Sequence, residues 1–219
     1  MKKSTMDDID SLGKYYSRLV NEFGDDPRST QQSDRKTQEA RMGVLCEIGD
    51  LVNASILDFG CGTGYLATFL KNKYKFSGVY TGYDLTEDIL SVARNSNPDG
   101  KFCIRDIFKV GAGGPFDYAI INGTFNNRIS DNEEYLYSAL TTLFSSVRIG
   151  LSFNLLSRYV DYFDDKLYYA DPGRIFTFCK ENLSSRVLLR HDYKVKENCM
   201  PYEFTIYVYK DPEVCRKLK

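Results

Sequence analysis

The hydrophobic pattern of the chain changes near residue 55. Before that point apolar residues recur at helical spacing, over residues 7–23 and again from about 35 to 51. After it, short apolar strands alternate with amphipathic helices. We therefore predict an N-terminal helical cap over residues 1–52 and a main domain over residues 53–219, together forming one unit.

The second part of the pattern predicts seven strands, with ranges 55–60, 78–84, 101–106, 116–122, 149–156, 185–193 and 202–210. Predicted helices between them cover 63–74, 86–95, 131–147 and 171–183. Strands that alternate with helices form a parallel sheet with both faces covered. The last two strands are joined by a short loop that leaves no room for a crossover helix, so they should pair antiparallel. The predicted fold class is therefore α/β, a doubly wound sheet with one reversed strand.

A glycine-rich turn, with the sequence LDFGCGTG at 57–64, joins the first predicted strand to its helix. Its glycines, Gly60, Gly62 and Gly64, have G-x-G-x-G spacing, whereas the dinucleotide fingerprint is G-x-G-x-x-G. Tyr65 occupies the position of the last fingerprint glycine, where a tyrosine prevents close packing around a pyrophosphate. An oxidoreductase with a nicotinamide cofactor is therefore the least favoured function.

Three carboxylates, Asp58, Asp84 and Asp106, come at the ends of three successive predicted strands. In an open α/β sheet these carboxyl ends line the ligand crevice. A carboxylate after the second strand suits the two hydroxyls of a ribose, and one after the third suits the amino group of adenine. An acid in the glycine turn favours a cationic ligand. Any one of them alone is also typical of a helix cap.

With these motifs in this order, the sequence resembles class I S-adenosylmethionine-dependent methyltransferases over roughly residues 55–210. The resemblance rests on LDFGCGTG, on YDL at 83–85, on RDIF at 105–108 and on FDYAIIN at 116–122. It implies a Rossmann-like sheet of seven strands in the order 3-2-1-4-5-7-6, with strand 7 antiparallel. FNLLSRYVDY and the last two strands are similar to a bacterial subgroup associated with small-molecule or glycan tailoring.

The resemblance implies S-adenosylmethionine as cofactor and S-adenosylhomocysteine as product. It implies that the glycine turn lies against the methionine part and the ribose, with Asp58 near the amino group. It assigns the ribose hydroxyls to Asp84 and the adenine amino group to Asp106. The implied cofactor-binding residues are Asp58, Gly60, Cys61, Gly62, Gly64, Asp84, Leu85, Asp106, Ile107 and Asn122. From the helical cap, Tyr15 could close over the cofactor, and Arg41 or Gln38 could reach its carboxylate.

The acceptor is expected over the fourth and fifth strands and under the N-terminal helices. The segment NGTFNNR at 122–128 lacks the N-P-P-Y type of sequence found in methyltransferases that act on nucleobases or glutamine. We therefore favour a polar small molecule, methylated at oxygen. The tyrosine-rich segment after the fifth strand predicts a pocket wall, with a loop folded on its own aromatics as the alternative. The predicted acceptor-binding residues are Tyr16, Phe125, Asn126, Arg128, Asn154, Tyr159 and Tyr162.

Methyl transfer from a sulfonium is a direct displacement, so the main contribution of the protein is positioning. His191, the only histidine, is the candidate general base. In the expected sheet order its strand lies three strands from the fourth, or about 14 Å at about 4.8 Å per strand. A structural role for His191 is therefore favoured over a catalytic one. Two roles are open for Arg128: it binds a carboxylate or phosphate of the acceptor, or it is a solvated loop residue.

The composition and net charge of the chain limit the classes of binding partner that we expect. The formal net charge is -1, which predicts no nucleic-acid partner and no membrane surface partner. The absence of an apolar signal segment predicts a cytoplasmic protein. One histidine and no C-x-x-C spacing predict no metal site and reduced thiols at Cys46, Cys61, Cys103, Cys179, Cys199 and Cys215. A monomer or a homodimer is expected. The alternatives left open are a cofactor-binding regulatory protein and a protein or RNA methyltransferase.

Overall fold

The chain folds into a mostly parallel sheet with helices on both faces, and a computed structural model describes residues 2–197 and 199–211. The helices are Lys3–Phe23 (α1), Arg35–Leu45 (α2), Tyr65–Tyr74 (α3), Glu87–Ser96 (α4), Ile107–Val110 (α5), Asn132–Ser145 (α6) and Pro172–Asn182 (α7). The strands are Ser55–Phe59 (β1), Val79–Asp84 (β2), Lys101–Ile104 (β3), Phe116–Ile121 (β4), Val147–Ser157 (β5), Tyr169–Ala170 (β6), Arg186–Arg190 (β7) and Glu203–Tyr209 (β8). Short 3₁₀ turns cover Pro27–Thr30 and Cys46–Ile48.

The main path of the sheet has the order β3-β2-β1-β4-β5-β8-β7. β8 runs antiparallel to both β5 and β7, and the other pairs on this path are parallel. The predicted doubly wound α/β sheet, its strand order and its reversed strand are confirmed. The short β6, which pairs parallel with the end of β5, was not predicted because two residues carry no readable pattern.

Side chains from neighbouring positions of the central strands point to opposite faces of the sheet. Ile56 and Ile120 contribute to the core under α2, α3 and α4, whereas Leu57, Ala119 and Ile121 contribute to the core under α6 and α7. Since both faces are covered, these strands are apolar at nearly every position. The first core also contains Val20, Met42, Leu45 and Ile48 from the N-terminal helices.

Several boundaries differ from the predictions. α1 begins at Lys3, earlier than the predicted residue 7, and α2 ends at Leu45 instead of near residue 51. The tight 3₁₀ turn there is followed by Gly49, where an added Cβ would collide with the ring of Tyr118. β7 ends at Arg190, since its pairing with β8 stops at that residue, and His191 therefore follows the strand.

α1 lies across the carboxyl edge of the sheet. Lys2 forms an ion pair with Asp131 at 2.8 Å, and the Asp8 carboxylate accepts a hydrogen bond from the backbone N–H of Ser130 at 2.7 Å. These contacts fix the start of α1 to the segment that leads into α6. None of the helices in the described residues is long and apolar enough to cross a bilayer. Five of the cysteines are free thiols, and Cys215 lies outside the described residues.

Candidate active site

A cleft opens where β1, β2 and β4 end, and α1 covers one side of it. Many of the predicted site residues meet there. They are Asp58, Gly60, Cys61, Gly62, Asp84, Leu85, Asn122, Tyr16 and Phe125. A second cavity continues from the cleft past Leu85 and is lined also by Asp106 and Ile107.

The glycine turn needs glycines both for its backbone and for its space. Gly60, Gly62 and Gly64 all have positive φ, with values of 73°, 53° and 75°. A Cβ at Gly62 would lie 2.6 Å from the Thr30 side chain, and one at Gly64 would lie 2.8 Å from Phe102. The turn therefore keeps its backbone open to the cleft, and α3 starts directly behind it.

Asp84, at the end of β2, organises the turn. Its carboxylate accepts hydrogen bonds from the backbone N–H groups of Gly62 at 3.0 Å, Leu85 at 2.8 Å and Thr86 at 3.3 Å. Burial raises the pKa of Asp84, and these N–H groups oppose that rise. The carboxylate thus lies on the cleft wall with its orientation fixed by backbone donors.

Asp58, in β1, is 3% exposed and lines the same cleft. Tyr80 donates a hydrogen bond from its hydroxyl to this carboxylate. Burial raises the pKa of Asp58 to about 7, because the loss of solvent disfavours the charged form more than Tyr80 favours it. A cationic group bound beside it would restore the charged form.

The second cavity has an apolar floor and a polar edge. Ile107 is buried, Leu85 is partly exposed, and the ring of Tyr135 faces both cavities. Asp106 caps α5 by accepting from the backbone N–H groups of Phe108 and Lys109, and it pairs with the Lys109 ammonium at 2.9 Å. Burial acts to raise the pKa of Asp106, but these bonds outweigh it and lower the pKa.

The end of β4 carries an unpartnered polar atom and a buried network. The buried Oδ1 of Asn122 has no hydrogen-bond partner, although Asn122 lines the cleft. The next residue, Gly123, donates its N–H to Asn154 Oδ1 at 2.8 Å, and Asn154 donates to Glu203 at 3.1 Å. Glu203 is 1% exposed and pairs with Arg41 at 2.6 Å.

The roof of the cleft is held by a second network. The Tyr16 hydroxyl on α1 donates to Gln31 Oε1 at 2.6 Å and accepts from Asn127 Nδ2 at 2.8 Å. Burial raises the pKa of Tyr16 well above its usual value, so the phenol is neutral. These bonds join α1, the segment before α2 and the loop after β4 into one cover.

Several predicted residues lie elsewhere. Arg41 faces Glu203, Asn154 lies behind Gly123, and the Asn126 side chain accepts a hydrogen bond from the backbone N–H of Leu156. Tyr15 contacts Tyr16 and Arg18, and Arg128 is exposed. None of these five is among the cleft-lining residues in the described chain.

The predicted pocket wall after β5 is on the surface, because Tyr159 and Tyr162 are 61% and 77% exposed. His191 lies between Tyr159 and Phe204 with a buried, unpartnered Nε2, and it is not among the residues that line the cleft. This position follows from the sheet order, in which β7 is the outer strand beyond β5 and β8.

Some lining residues were missed by the sequence analysis. They are Thr30, Gln32, Thr124, Asn132 and Tyr135, while Gln38 was expected and does line the cleft. Thr30 and Gln32 lie between the two predicted cap helices, in a polar stretch without periodicity. The run of amides around the cleft is the signal that could have indicated them, since buried amides need partners.

Comparison with known proteins agrees with this geometry. Residues 51–155 match a family model described as "Methyltransferase domain". The chain is 36% identical over 175 residues to "Putative methyltransferase Rv1506c" of Mycobacterium tuberculosis (strain ATCC 25618 / H37Rv), over 73% of this chain and 98% of that protein. The chain belongs to the methyltransferase family.

Solved structures with bound SAM or SAH have the same fold. The magnesium protoporphyrin IX methyltransferase ChlM from Synechocystis PCC 6803 with bound SAM is 16% identical, with a TM-score of 0.67 over 96% of this chain and 100% of that one. The complex of DhpI with SAH is 13% identical, with a TM-score of 0.66 over 97% and 100%. At these identities the likeness shows the fold, that of class I S-adenosylmethionine-dependent methyltransferases.

The residues of this methyltransferase fit that cofactor. The second cavity has apolar side chains, Leu85 and Ile107, on which adenine can pack, and Asp84 has carboxylate oxygens for a ribose diol. A cation would stabilise the charged form of the buried Asp58, and the amino group of the cofactor is a cation. The orphaned Asn122 Oδ1 lies at the end of β4, on the remaining side of the cleft. In the described residues no group of three histidine, cysteine or acidic side chains could hold a metal ion.

Proposed function

We propose that this methyltransferase transfers a methyl group from S-adenosylmethionine to an oxygen atom of a polar small molecule. The observation that carries the proposal is the meeting of Asp58, Asp84 and Asn122 in one cleft beside the glycine turn. Asp58 and Asp84 would each bind a different part of the cofactor, and Asn122 would lie where the cofactor and the acceptor meet. S-adenosylhomocysteine would be the product.

In the proposed complex the adenine lies on Leu85 and Ile107, with Asp106 at its amino group. Asp84 accepts from the ribose hydroxyls, Asp58 faces the amino group, and Gln38 donates to the carboxylate. When bound, the cofactor supplies an electrophilic methyl group on sulfur. The chain itself positions the acceptor oxygen in line with that methyl, an arrangement that contributes about 7–11 kcal/mol in well-oriented reactions.

Two residues would handle the acceptor at the end of β4. Asn122 Oδ1 has a free lone pair and would accept the hydrogen bond of an acceptor hydroxyl. Phe125, which is buried against Phe59 and Tyr135, would exclude water from the reacting atoms. In this arrangement the bond from the acceptor oxygen to the methyl group forms as the methyl–sulfur bond breaks, and the hydroxyl proton is released to solvent. His191 lies outside the cleft lining and takes no part in this step.

Other predictions rest on the sequence alone and stay predictions. They include the division into a cap and a main domain, the cytoplasmic location, the lack of nucleic-acid and membrane partners, and the monomer or homodimer. Tyr15, Arg41, Asn126, Arg128, Asn154, Tyr159 and Tyr162 stay candidates, with Arg41 and Asn154 in supporting positions behind the cleft.

A thermal shift with S-adenosylmethionine, S-adenosylhomocysteine and NADH side by side tests the cofactor. A specific ligand at a hundredfold its Kd should raise stability by about 2.7 kcal/mol. We expect a shift with the two adenosyl compounds and none with NADH. A shift with NADH alone, or with none of the three, would refute the proposal. A binding-only protein would shift but form no S-adenosylhomocysteine with any acceptor.

A further inference from the structure

The acceptor is proposed to bind at the end of the cleft next to β4, which we call the acceptor end. Among the described residues, this end presents neutral amides and no unpaired cation. Gln32, Asn122 and Asn127 line this end. Arg41, just behind it, is paired with the buried Glu203. Within the described chain, Arg105 is the only arginine or lysine on the cleft lining, and its guanidinium donates to the carbonyl oxygens of Gly111 and Val110 near the second cavity.

Arg41 fixes the orientation of Gln32. Its Nη1 donates to Gln32 Oε1 at 2.7 Å. A guanidinium has donors and no acceptor, so the amide oxygen must face Arg41 and the amide nitrogen must face away from it. A Cβ built at Gly123 would lie 3.6 Å from Gln32 Nε2, which places this nitrogen next to the end of β4. Gln32 therefore presents N–H groups to the acceptor end.

The same network fixes the neighbouring Gly123. Arg41 also donates to Glu203 and to the Tyr202 hydroxyl, and Asn154 links Glu203 to the N–H of Gly123. Gln32 and Gly123 thus form the two ends of one hydrogen-bonded chain that passes behind the cleft. A donor held in this way loses little entropy when it binds a ligand.

We propose that the acceptor is an uncharged molecule, and that Gln32 selects it by donating a hydrogen bond from Nε2 to one of its oxygen atoms. This inference rests on the proposed function. An anionic acceptor would lose its hydration without a protein cation to pair with, in a cleft that already holds Asp58 and Asp84. The cofactor's amino group would be paired with Asp58. Arg41 and Glu203 are positioning residues for Gln32.

Gln38 provides a matched control. Arg35 donates to Gln38 Oε1 at 2.8 Å, so this amide also presents its N–H groups away from an arginine. Arg35 stacks on Tyr65 at 3.6 Å, directly beside the glycine turn. Gln38 therefore faces the methionine end of the cofactor, whereas Gln32 faces the acceptor end. The two glutamines should affect different ligands.

The test first measures the affinity for S-adenosylmethionine and S-adenosylhomocysteine by calorimetry. It then measures methyl transfer, as S-adenosylhomocysteine formed, and binding to the S-adenosylhomocysteine complex. The probes are matched hydroxyl compounds: methyl glucoside and methyl glucuronide, salicylamide and salicylate, N-acetylserine amide and N-acetylserine. We expect an uncharged member to be preferred over its acid by roughly tenfold or more, since each lost or unpaired polar contact costs on that order.

Two variants remove the N–H donor: Gln32→Leu, and Gln32→Glu, which keeps the contact with Arg41. Each should lower the affinity for the uncharged probe roughly tenfold. Both should leave the affinity for S-adenosylhomocysteine within about twofold of the wild type. Gln38→Leu should lower the affinity for S-adenosylhomocysteine and leave the affinity for the uncharged probe within about twofold. Preference for an acid, no binding of any uncharged probe at about 10 mM, or loss of cofactor affinity in the Gln32 variants would overturn the inference. If the wild type does not bind the cofactor at all, the proposed function fails first.

Discussion

Asp84 has two kinds of partner at one carboxylate. It accepts from the N–H groups of Gly62, Leu85 and Thr86, and in the proposed complex it also accepts from the ribose. Asp84→Asn replaces one acceptor oxygen with a donor that cannot serve these N–H groups. We expect the Kd for S-adenosylhomocysteine, measured by calorimetry, to rise about 10- to 100-fold.

Asp99→Asn is the control for this change, because Asp99 is an exposed carboxylate beyond the end of α4 that pairs only with Lys71 in the described chain. It should leave the Kd unchanged. Equal affinity of wild type and Asp84→Asn would argue against a ribose contact.

The residue scale also separates what the sequence could predict from what it could not. Asp58 and Asp84 were predictable as cleft residues because the carboxyl ends of adjacent parallel strands meet at one edge. The partner of Arg41 was not. Glu203 is 162 residues away along the chain, and only the completed sheet brings β8 next to α2. A side chain on a predicted helix has a face but no predictable distant partner.

At the scale of elements, the Arg41–Glu203 pair joins α2 to β8. Its side chains are 11% and 1% exposed, and burial would lower the pKa of Arg41 if Glu203 did not raise it. Loss of one partner leaves an uncompensated buried charge, so Arg41→Met or Glu203→Met should each destabilise the fold by about 3–5 kcal/mol. The double variant should lose less than the sum of the two, measured by urea unfolding.

The pair Lys36–Glu197 is a matched control, with both side chains 81% exposed. Its variants should show no measurable loss, since exposed pairs are screened by solvent. Strictly additive losses at Arg41 and Glu203 would mean that the two side chains do not depend on each other, and the network would lose its positioning role.

α1 covers one side of the cleft, and we expect it to open when the cofactor enters or leaves. Tyr16→Phe removes the hydroxyl that joins α1 to Gln31 and Asn127. We expect the dissociation rate of S-adenosylhomocysteine, measured by surface plasmon resonance, to rise roughly tenfold with little change in the association rate. Tyr15→Phe is the control, because the Tyr15 hydroxyl has only a 3.4 Å contact with Gln31. Equal dissociation rates in all three proteins would mean that the Tyr16 hydroxyl does not hold α1 over the bound ligand.

Elements with strong periodicity were predicted well, and those that depend on tertiary contacts were not. The seven main strands follow from apolar runs such as IGLSFNLL in β5, since a buried strand is apolar on both faces. The segment between Ser157 and Tyr169 was expected to form a pocket wall because of its tyrosines. Aromatic composition does not state whether a loop turns inward, and here Tyr159 and Tyr162 turn to solvent.

At the scale of the whole molecule, the cleft makes stability depend on pH. Asp58 has a pKa of about 7 in the folded protein and an ordinary value of 3.8 without its surroundings. Between these two values the folded state holds a proton that the unfolded state has released. Stability is therefore greatest, for this group, below about pH 4, and it is lost as pH rises through 7. Burial also raises the pKa of Asp84, so this carboxyl contributes to stability with the same dependence on pH.

Urea unfolding at pH 5.5, 6.5 and 7.5 should thus show a decrease in the free energy of unfolding that is smaller in Asp58→Asn, where only Asp84 still contributes. A saturating concentration of S-adenosylhomocysteine should abolish this trend in the wild type, because its amino group favours the Asp58 carboxylate. Its Kd should fall up to about tenfold per pH unit until the carboxyl is ionised. An identical pH dependence in wild type and Asp58→Asn would remove Asp58 as the origin of the effect and leave the amino group of the cofactor without its proposed partner.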